Sequence, residues 1–330
     1  MPSVQKQSRD GGNGRRVATS TPTPIAGPRP GSVLSRAVNV ADLTEDYMSV
    51  TIYGVNRAGK TTLACLFPKP LLLISFEPGR KEGGAKSVKK VRGVKFIAVQ
   101  STEEAILLAR ELKEEGGNVC DLPDPEFRGK PYATHVIDTV TSCQDMCLKE
   151  VMCLDDAPVQ LNWGLVGEDQ YRERSEKTRE VLRPFRDLPA HTVFVAQEKD
   201  HAKPRDKTSK LLRREQDDSF LAADLGGATV KWLHDACDVV VRLYLEREVV
   251  EDVTQASFNG KERAVVSQRE TGRTVRRLRT ILHPNQAAGI RSCDPDCVPE
   301  YIESQAPEEM YEELMRVIGG ERTERGKYVE

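Results

Sequence analysis

The chain has 330 residues, 38% of them hydrophobic and 30% charged, with a formal net charge of −2. That length suits one large domain with extensions, or two domains, with enough apolar content for a packed core. The near-neutral balance excludes a surface that is basic throughout, so any nucleic-acid contact has to be local; no apolar run approaches the ~18 residues of a membrane span, and the N-terminus lacks the apolar centre of a secretory leader.

Residues 1–42 are rich in Ser, Thr, Pro, Gly and Arg and show no apolar periodicity, which predicts a disordered basic tail. Lys6, Arg9, Arg15, Arg16, Arg29 and Arg36 outnumber Asp10 and Asp42 there. A solvated tail is the favoured reading, with an electrostatic hold on nucleic acid as the alternative. Met48 to Tyr53 then reads as a short strand, because Val50, Thr51, Ile52 and Tyr53 are strand formers.

The next nine residues are Gly54-Val55-Asn56-Arg57-Ala58-Gly59-Lys60-Thr61-Thr62. They fit G-x-x-x-x-G-K-[ST], the P-loop pattern, between a strand and a helix start at Lys60 to Phe67. Such a loop turns consecutive backbone N–H groups toward the oxygens of a triphosphate, and the helix N-terminus adds positive potential. Lys60 would supply a mobile ammonium to the β- and γ-phosphates and Thr61 a hydroxyl ligand for Mg²⁺. ATP and Mg²⁺ are therefore the expected cofactors.

Downstream, strands and helices alternate. Leu71-Leu72-Leu73-Ile74 is a continuous apolar run, as in a strand buried on both faces, and Lys95 to Val99 is a second short strand. Ser101 to Glu115 reads as a helix with a Ser101/Glu104 capping box and Ala105, Leu108, Ala109 and Leu112 on one face, ended by Gly116-Gly117. Thr134 to Asp138 and Thr192 to Ala196 are further buried strands, and Glu168 to Asp187 is a polar helix bent or ended near Pro184. This alternation predicts an α/β fold with a mostly parallel sheet and ligands at the carboxyl ends of its strands. After Asp235 the pattern becomes antiparallel. Val239 to Val253 is strand-like, Asn259-Gly260 signals a hairpin, and Ala264 to Ser267 and Leu278 to Leu282 follow. Pro307 to Ile318 is a closing helix with Met310, Leu314 and Val317 on one face and Gly319 as its cap.

Polar residues at strand ends are the candidates for chemistry. Asp138 ends His135-Val136-Ile137 and suits a Walker B aspartate that orients Mg²⁺. Glu77 ends the strand from Leu71 to Phe76 and suits the base that polarises an attacking water, since Thr139 rather than an acid follows Asp138. Gln197 ends the strand Thr192 to Ala196 and suits a γ-phosphate sensor. In the loop 198–224, Lys199, Lys203, Arg205, Lys207, Lys210, Arg213 and Arg214 suit contact with a phosphate backbone, although Glu198, Asp200, Asp206, Glu215, Asp217 and Asp218 dilute them. DNA contact and a solvated loop fit this composition equally. Aromatic side chains for base stacking are scarce, with Phe220 here and Trp163 earlier. The cysteines read as reduced thiols, and ordinary thiols are preferred to zinc for Cys293/Cys297.

Together these features resemble the RecA-like P-loop ATPases, and among them the phage-encoded nucleotide-binding proteins of single-strand annealing and recombination. The resemblance rests on Tyr53-Gly54 through Thr62, Phe67-Pro68-Lys69-Pro70-Leu71-Leu72-Leu73, Glu77, Val136-Ile137-Asp138-Thr139, Asn162-Trp163-Gly164, Leu188-Pro189 and Val193-Phe194-Val195-Ala196-Gln197. It implies that Lys60 and Thr61 are the Walker A pair and Asp138 is Walker B. It implies further that Glu77 is the catalytic glutamate and that Gln197 is the sensor opening a DNA-contacting loop. The partners it implies are single-stranded DNA and further copies of the chain in a ring or filament, in a bacterial or phage-infected cytoplasm. Asn56 and Arg57 depart from the Pro, Gly or Ser usual inside the family's loop. The expected organisation is a tail (1–42), a RecA-like core (43–285, with its antiparallel extension from about 239) and a C-terminal segment with one helix (286–330). Two alternatives stand beside an ATPase acting on DNA: a nucleotide or small-molecule kinase, and an ATP-switched loader or assembly factor.

Overall fold

The apolar runs fold into the middle of one sheet. In the computed structural model, which describes residues 47–77, 83–114, 116–154, 166–202, 219–258, 261–283 and 286–328, the first five strands are β1 (Ser49–Gly54), β2 (Leu71–Ser75), β3 (Val94–Ala98), β4 (Thr134–Asp138) and β5 (His191–Ala202). β6 (Ser219–Ala223), β7 (Val239–Phe258), β8 (Lys261–Arg279), β9 (Gly289–Ile290), β10 (Tyr301–Glu303) and β11 (Gly326–Lys327) follow. The sheet order is β11-β10-β8-β7-β1-β5-β4-β2-β3, with β6 on β5 and β9 on β7. Every pairing from β7 through β1, β5, β4 and β2 to β3 is parallel. β8, β10 and β11 continue antiparallel. This is the α/β, mostly parallel arrangement with antiparallel C-terminal strands that the alternation predicts.

Parallel neighbours need crossovers, and helices supply them. α1 (Lys60–Ala64), α2 (Thr102–Lys113), α3 (Val140–Val151), α4 (Glu168–Arg186), α5 (Gly227–Ala236) and α6 (Pro307–Ile318) cover the two faces. One face buries Ala105, Ala109 and Leu112 of α2, Cys143 and Cys147 of α3, Val181, Leu182 and Phe185 of α4, and Leu233 of α5. The other buries Leu63 and Ala64 of α1 with Met310, Leu314 and Val317 of α6. Each large aliphatic side chain removed from water this way contributes roughly 1.5–3 kcal/mol.

Several elements depart from expectation for local reasons. α1 stops at Ala64 rather than running to Phe67, because the chain turns into Pro68 and a strand. Ser101 caps α2 by accepting from the Glu104 N–H, but the Glu104 carboxylate takes the Gln100 N–H instead of closing the box on Ser101. α4 carries Pro184 inside its last turn and ends two residues later at Arg186. β5 does not stop at Ala196: its parallel pairing ends with Gln197 opposite Gly54, and residues from Glu198 onward pair antiparallel with β6. Part of the expected loop 198–224 is thus a β-hairpin, and Gln197 lies within a strand. β7 lies parallel to β1, so the antiparallel part begins one strand later, at β8. α5 makes the crossover that brings β7 beside β1. The Asn259-Gly260 turn lies outside the described residues, but Phe258 pairs with Lys261, as a two-residue connection requires.

The residues from Asp46 to Glu330 belong to one compact unit, so the C-terminal segment packs with the core. The tail of residues 1–42 and Trp163 lie outside the described residues.

Candidate nucleotide site

The site assembles at the carboxyl ends of β1, β2, β4 and β5. β1 ends at Gly54, where a Cβ would lie 1.9 Å from the Leu243 carbonyl oxygen of the neighbouring strand; only glycine fits this close approach. The chain then turns through Arg57 (φ 66) and Gly59 (φ 101) into α1. With five residues, α1 has a small dipole, so the loop amides and Lys60 carry most of the attraction for an anion. The Lys60 Nζ donates to the carbonyls of Gly54 at 2.9 Å and Val55 at 2.8 Å, which holds the ammonium inside the curve of the loop. Burial pushes its pKa below the usual lysine value, while the carboxylates of Asp138 and Glu198 oppose that.

Strand alternation aims the acidic and amide candidates at one face. On β4, Val136 packs on the α1 side, so Asp138 faces the same way. On β2, Leu71 and Leu73 pack there, which carries Ser75, and then Glu77, to that side; Phe76 packs on the other face. On β5, Val193 and Val195 pack there and Gln197 follows them. The Thr61 hydroxyl donates to Asp138 Oδ2 at 2.9 Å. Asp138 is 5% exposed. Burial raises its pKa to about 6, Glu77 adds to the rise, and the Thr61 hydrogen bond and the Lys60 charge oppose it. Glu77 is half-buried, with its N–H on Ser75 Oγ at 3.4 Å. The Gln197 N–H donates to Thr141 Oγ1 at 3.1 Å, fixing the strand where it changes partners.

Thr61 and Asp138 therefore meet directly, Lys60 and Glu77 are close enough for their charges to reach Asp138, and Gln197 stands level with Gly54. Of the basic residues read in the loop 198–224, Lys199 pairs with Asp224 at 3.3 Å across the hairpin. Lys203, Arg205, Lys207, Lys210, Arg213 and Arg214 lie outside the described residues.

Sequence reasoning missed three contributors. Gly84, in a 3-10 turn over Gly83–Val88, lies against Thr61 and Asp138. A Cβ at Gly84 would come within 2.5 Å of Asp138 Oδ2 and 2.8 Å of Thr61 Oγ1. The Gly83-Gly84 doublet was its one visible signal. Behind the loop, Glu198 and Arg242 form a buried ion pair, with side chains 8% and 10% exposed, and Gln286 Oε1 accepts a further hydrogen bond from Arg242 at 3.0 Å. Arg276 of β8 donates to the Ala58 carbonyl at 2.9 Å.

A family profile described as an AAA domain matches residues 46–280, more than two thirds of the chain, including Gly54 to Thr62, Glu77, Asp138 and Gln197. The chain belongs to this AAA domain family. It is a P-loop AAA-type ATPase domain built on a mostly parallel α/β sheet with antiparallel C-terminal strands, and the family implies nucleotide binding. A crystal structure of the RadB recombinase is 15% identical and aligns over 67% of this chain and 86% of that one, with a TM-score of 0.31. No curated protein matches the chain. Among the described residues of this AAA domain protein, no helix is long and apolar enough to cross a membrane.

Proposed function

We propose that the chain is an Mg²⁺-dependent RecA-type ATPase, of the phage type, whose hydrolysis cycle alters its hold on single-stranded DNA during annealing or recombination. The observation that carries the reading is the 2.9 Å hydrogen bond between Thr61 and Asp138 beneath the P-loop, with Glu77 and Gln197 directed to the same face.

These residues fit Mg²⁺. The donors are a hydroxyl and a carboxylate, oxygen ligands of the kind a hard cation takes together with phosphates and waters. The close approach of Gly84 leaves backbone rather than a side chain beside them. Among the described residues there is no cluster of three His, Cys, Asp or Glu, which suits a metal held by one or two protein oxygens and the nucleotide. Bound there, Mg²⁺ would neutralise charge developing between the β- and γ-phosphates.

The chain's own residues account for the rest. The amides of Val55 to Thr62 cradle the phosphates, and Lys60 places its ammonium on the β- and γ-oxygens. Glu77 accepts a hydrogen bond from the attacking water, orients it in line with the γ-phosphorus and takes its proton as the new P–O bond forms. Gln197 reads the γ-phosphate. Because Gln197 is the last β5 residue paired with β1 and Glu198 the first paired with β6, a shift of its side chain passes into the hairpin. The hairpin strands, together with the basic residues of the sequence 203–214 that connects them, are the proposed DNA-contacting part. Assembly of several copies in the bacterial or phage-infected cytosol belongs to the same reading.

Turnover of ATP, followed as free phosphate with and without single-stranded DNA over a salt series, tests it. The expected result is Mg²⁺-dependent release, stimulated by DNA at low salt, with the stimulation fading as salt rises. Absence of turnover in a folded sample, or transfer of phosphate to an acceptor, would refute the hydrolase assignment; turnover indifferent to DNA at every salt concentration would refute the DNA assignment alone.

A further inference from the structure

We infer that Arg276 is a positioning residue of the nucleotide site: it holds the second half of the P-loop from outside and fastens it to the C-terminal segment beyond the family match. The inference rests on the P-loop reading above and adds a residue to that site.

Arg276 lies on β8, 218 positions from the loop in sequence, yet its Nε donates to the Ala58 carbonyl at 2.9 Å. Its Nη1 donates to the Gln305 carbonyl at 2.7 Å. The guanidinium runs along Gly59: a Cβ built there would sit 3.5 Å from Nε and 3.6 Å from Nη2. One flat group thus touches two successive loop residues and a third strand of chain.

The consequence follows from the planarity of the peptide. In a trans peptide the carbonyl of one residue and the N–H of the next point in opposite directions in a single plane. Holding the Ala58 carbonyl outward on Arg276 therefore aims the Gly59 N–H inward, where a phosphate oxygen would lie. Gly59 is the residue with the fewest steric limits on that plane, at φ 101. A loop with glycine at this point needs an external hold to keep its donor aimed, and a donor fixed in advance costs no ordering when the anion arrives.

The hold is stiff because its far end is anchored. The Gln305 side chain donates to the Thr274 carbonyl at 2.8 Å, and the Ser304 N–H to the Arg276 carbonyl at 3.2 Å. Ser304 Oγ donates to Glu309 Oε2 at 2.6 Å, and Glu309 pairs with Arg325. Ile302 and three residues of α6 are buried in the same apolar cluster as α1. The family match ends at residue 280, so this backing comes from chain outside it. Arginine suits the post and lysine does not: a planar fork serves two carbonyls in fixed directions, while an ammonium on a flexible stem serves them as a point charge.

The test uses the full chain with Arg276→Ala and Arg276→Lys, measuring ATP binding by calorimetry with Mg²⁺, steady-state KM and kcat, and melting temperature, each with and without ~20 mM guanidinium chloride. The expected result for Arg276→Ala is a rise in Kd and KM of about tenfold or more with kcat within about threefold, partly reversed by guanidinium, at a melting temperature close to that of the unaltered chain. Arg276→Lys is expected to fall between. Unchanged affinity in both variants would overturn the inference; so would a loss that tracks melting temperature and does not respond to guanidinium. If Arg276→Ala does not fold, Arg276→Lys decides by the same criteria. Binding without turnover in the unaltered chain would refute the hydrolase assignment while the Kd comparison still judges Arg276; no binding by the folded, unaltered chain would refute both.

Discussion

Asp138→Asn separates the two consequences of burying a carboxylate beneath the P-loop. Asp138 is 5% exposed, and its pKa rises from the ordinary 3.8 to about 6, burial being the leading cause. At 1.36 kcal/mol per pH unit, holding the anion in the folded chain costs about 3 kcal/mol. The sign follows from which state binds the proton more tightly. Between about pH 4 and pH 6 the folded state keeps the proton that the unfolded state has released, so stability from this group falls as pH rises and the full cost is present above pH 6. Asparagine carries no charge and can still accept from the Thr61 hydroxyl. Without nucleotide at pH 7.5, Asp138→Asn should therefore be more stable by about 1–3 kcal/mol, or roughly 2–4 °C in melting temperature for each kcal/mol. That advantage should shrink toward zero by pH 4. With saturating Mg²⁺ and ATP the order should reverse, because the unaltered chain gains binding energy that the variant lacks. Denaturation from pH 4 to 8, with and without Mg²⁺-ATP, reads both effects. A variant no more stable than the unaltered chain at pH 7.5 without nucleotide would refute the buried-anion argument; an equal gain from Mg²⁺-ATP in both chains would refute the role given to Asp138.

Three further predictions follow from the same geometry. Glu77→Gln should bind ATP as tightly as the unaltered chain while kcat falls about 10²- to 10⁴-fold, as loss of a general base requires; normal turnover would displace Glu77 from that role. Gly84→Ala would bring a methyl within 2.5 Å of Asp138 Oδ2 and should shift the Mg²⁺ titration of ATP binding to higher metal, leaving metal-free binding less affected. An unshifted titration would show that the 3-10 turn yields freely. Glu198→Gln leaves Arg242 without its counter-charge at a site where both side chains are at most 10% exposed, and should cost about 3–5 kcal/mol in denaturant titrations. The double variant Glu198→Gln with Arg242→Met should recover part of that loss, and no recovery would locate the cost elsewhere.

Local patterns made the P-loop and the sheet face beside it legible. A P-loop is contiguous, and its glycines answer requirements set within a few residues, so Gly54 to Thr62 announced the loop. The period-2 alternation of β2, β4 and β5 carried Glu77, Asp138 and Gln197 to the face of α1, because a strand's own geometry fixes which side each residue takes. The antiparallel pairing of β7 with β8 and the closing helix at Pro307 were legible for the same reason.

What the sequence left open is where one segment meets another. The continuation of β5 into a hairpin depends on β6 offering it an edge just as β1 runs out at Gly54. Gly84 acquires its importance from its approach to Thr61 and Asp138, and the Glu198–Arg242 pair from the meeting of β5 and β7 around β1. Arg276 reaches Ala58 across 218 positions of chain. Contacts of this kind are set by burial and sheet order across the whole unit, quantities that no window of sequence contains. The P-loop and the sheet face that receives Glu77, Asp138 and Gln197 were therefore written in short-range pattern, while their support and their coupling to the C-terminal segment were decided by tertiary packing.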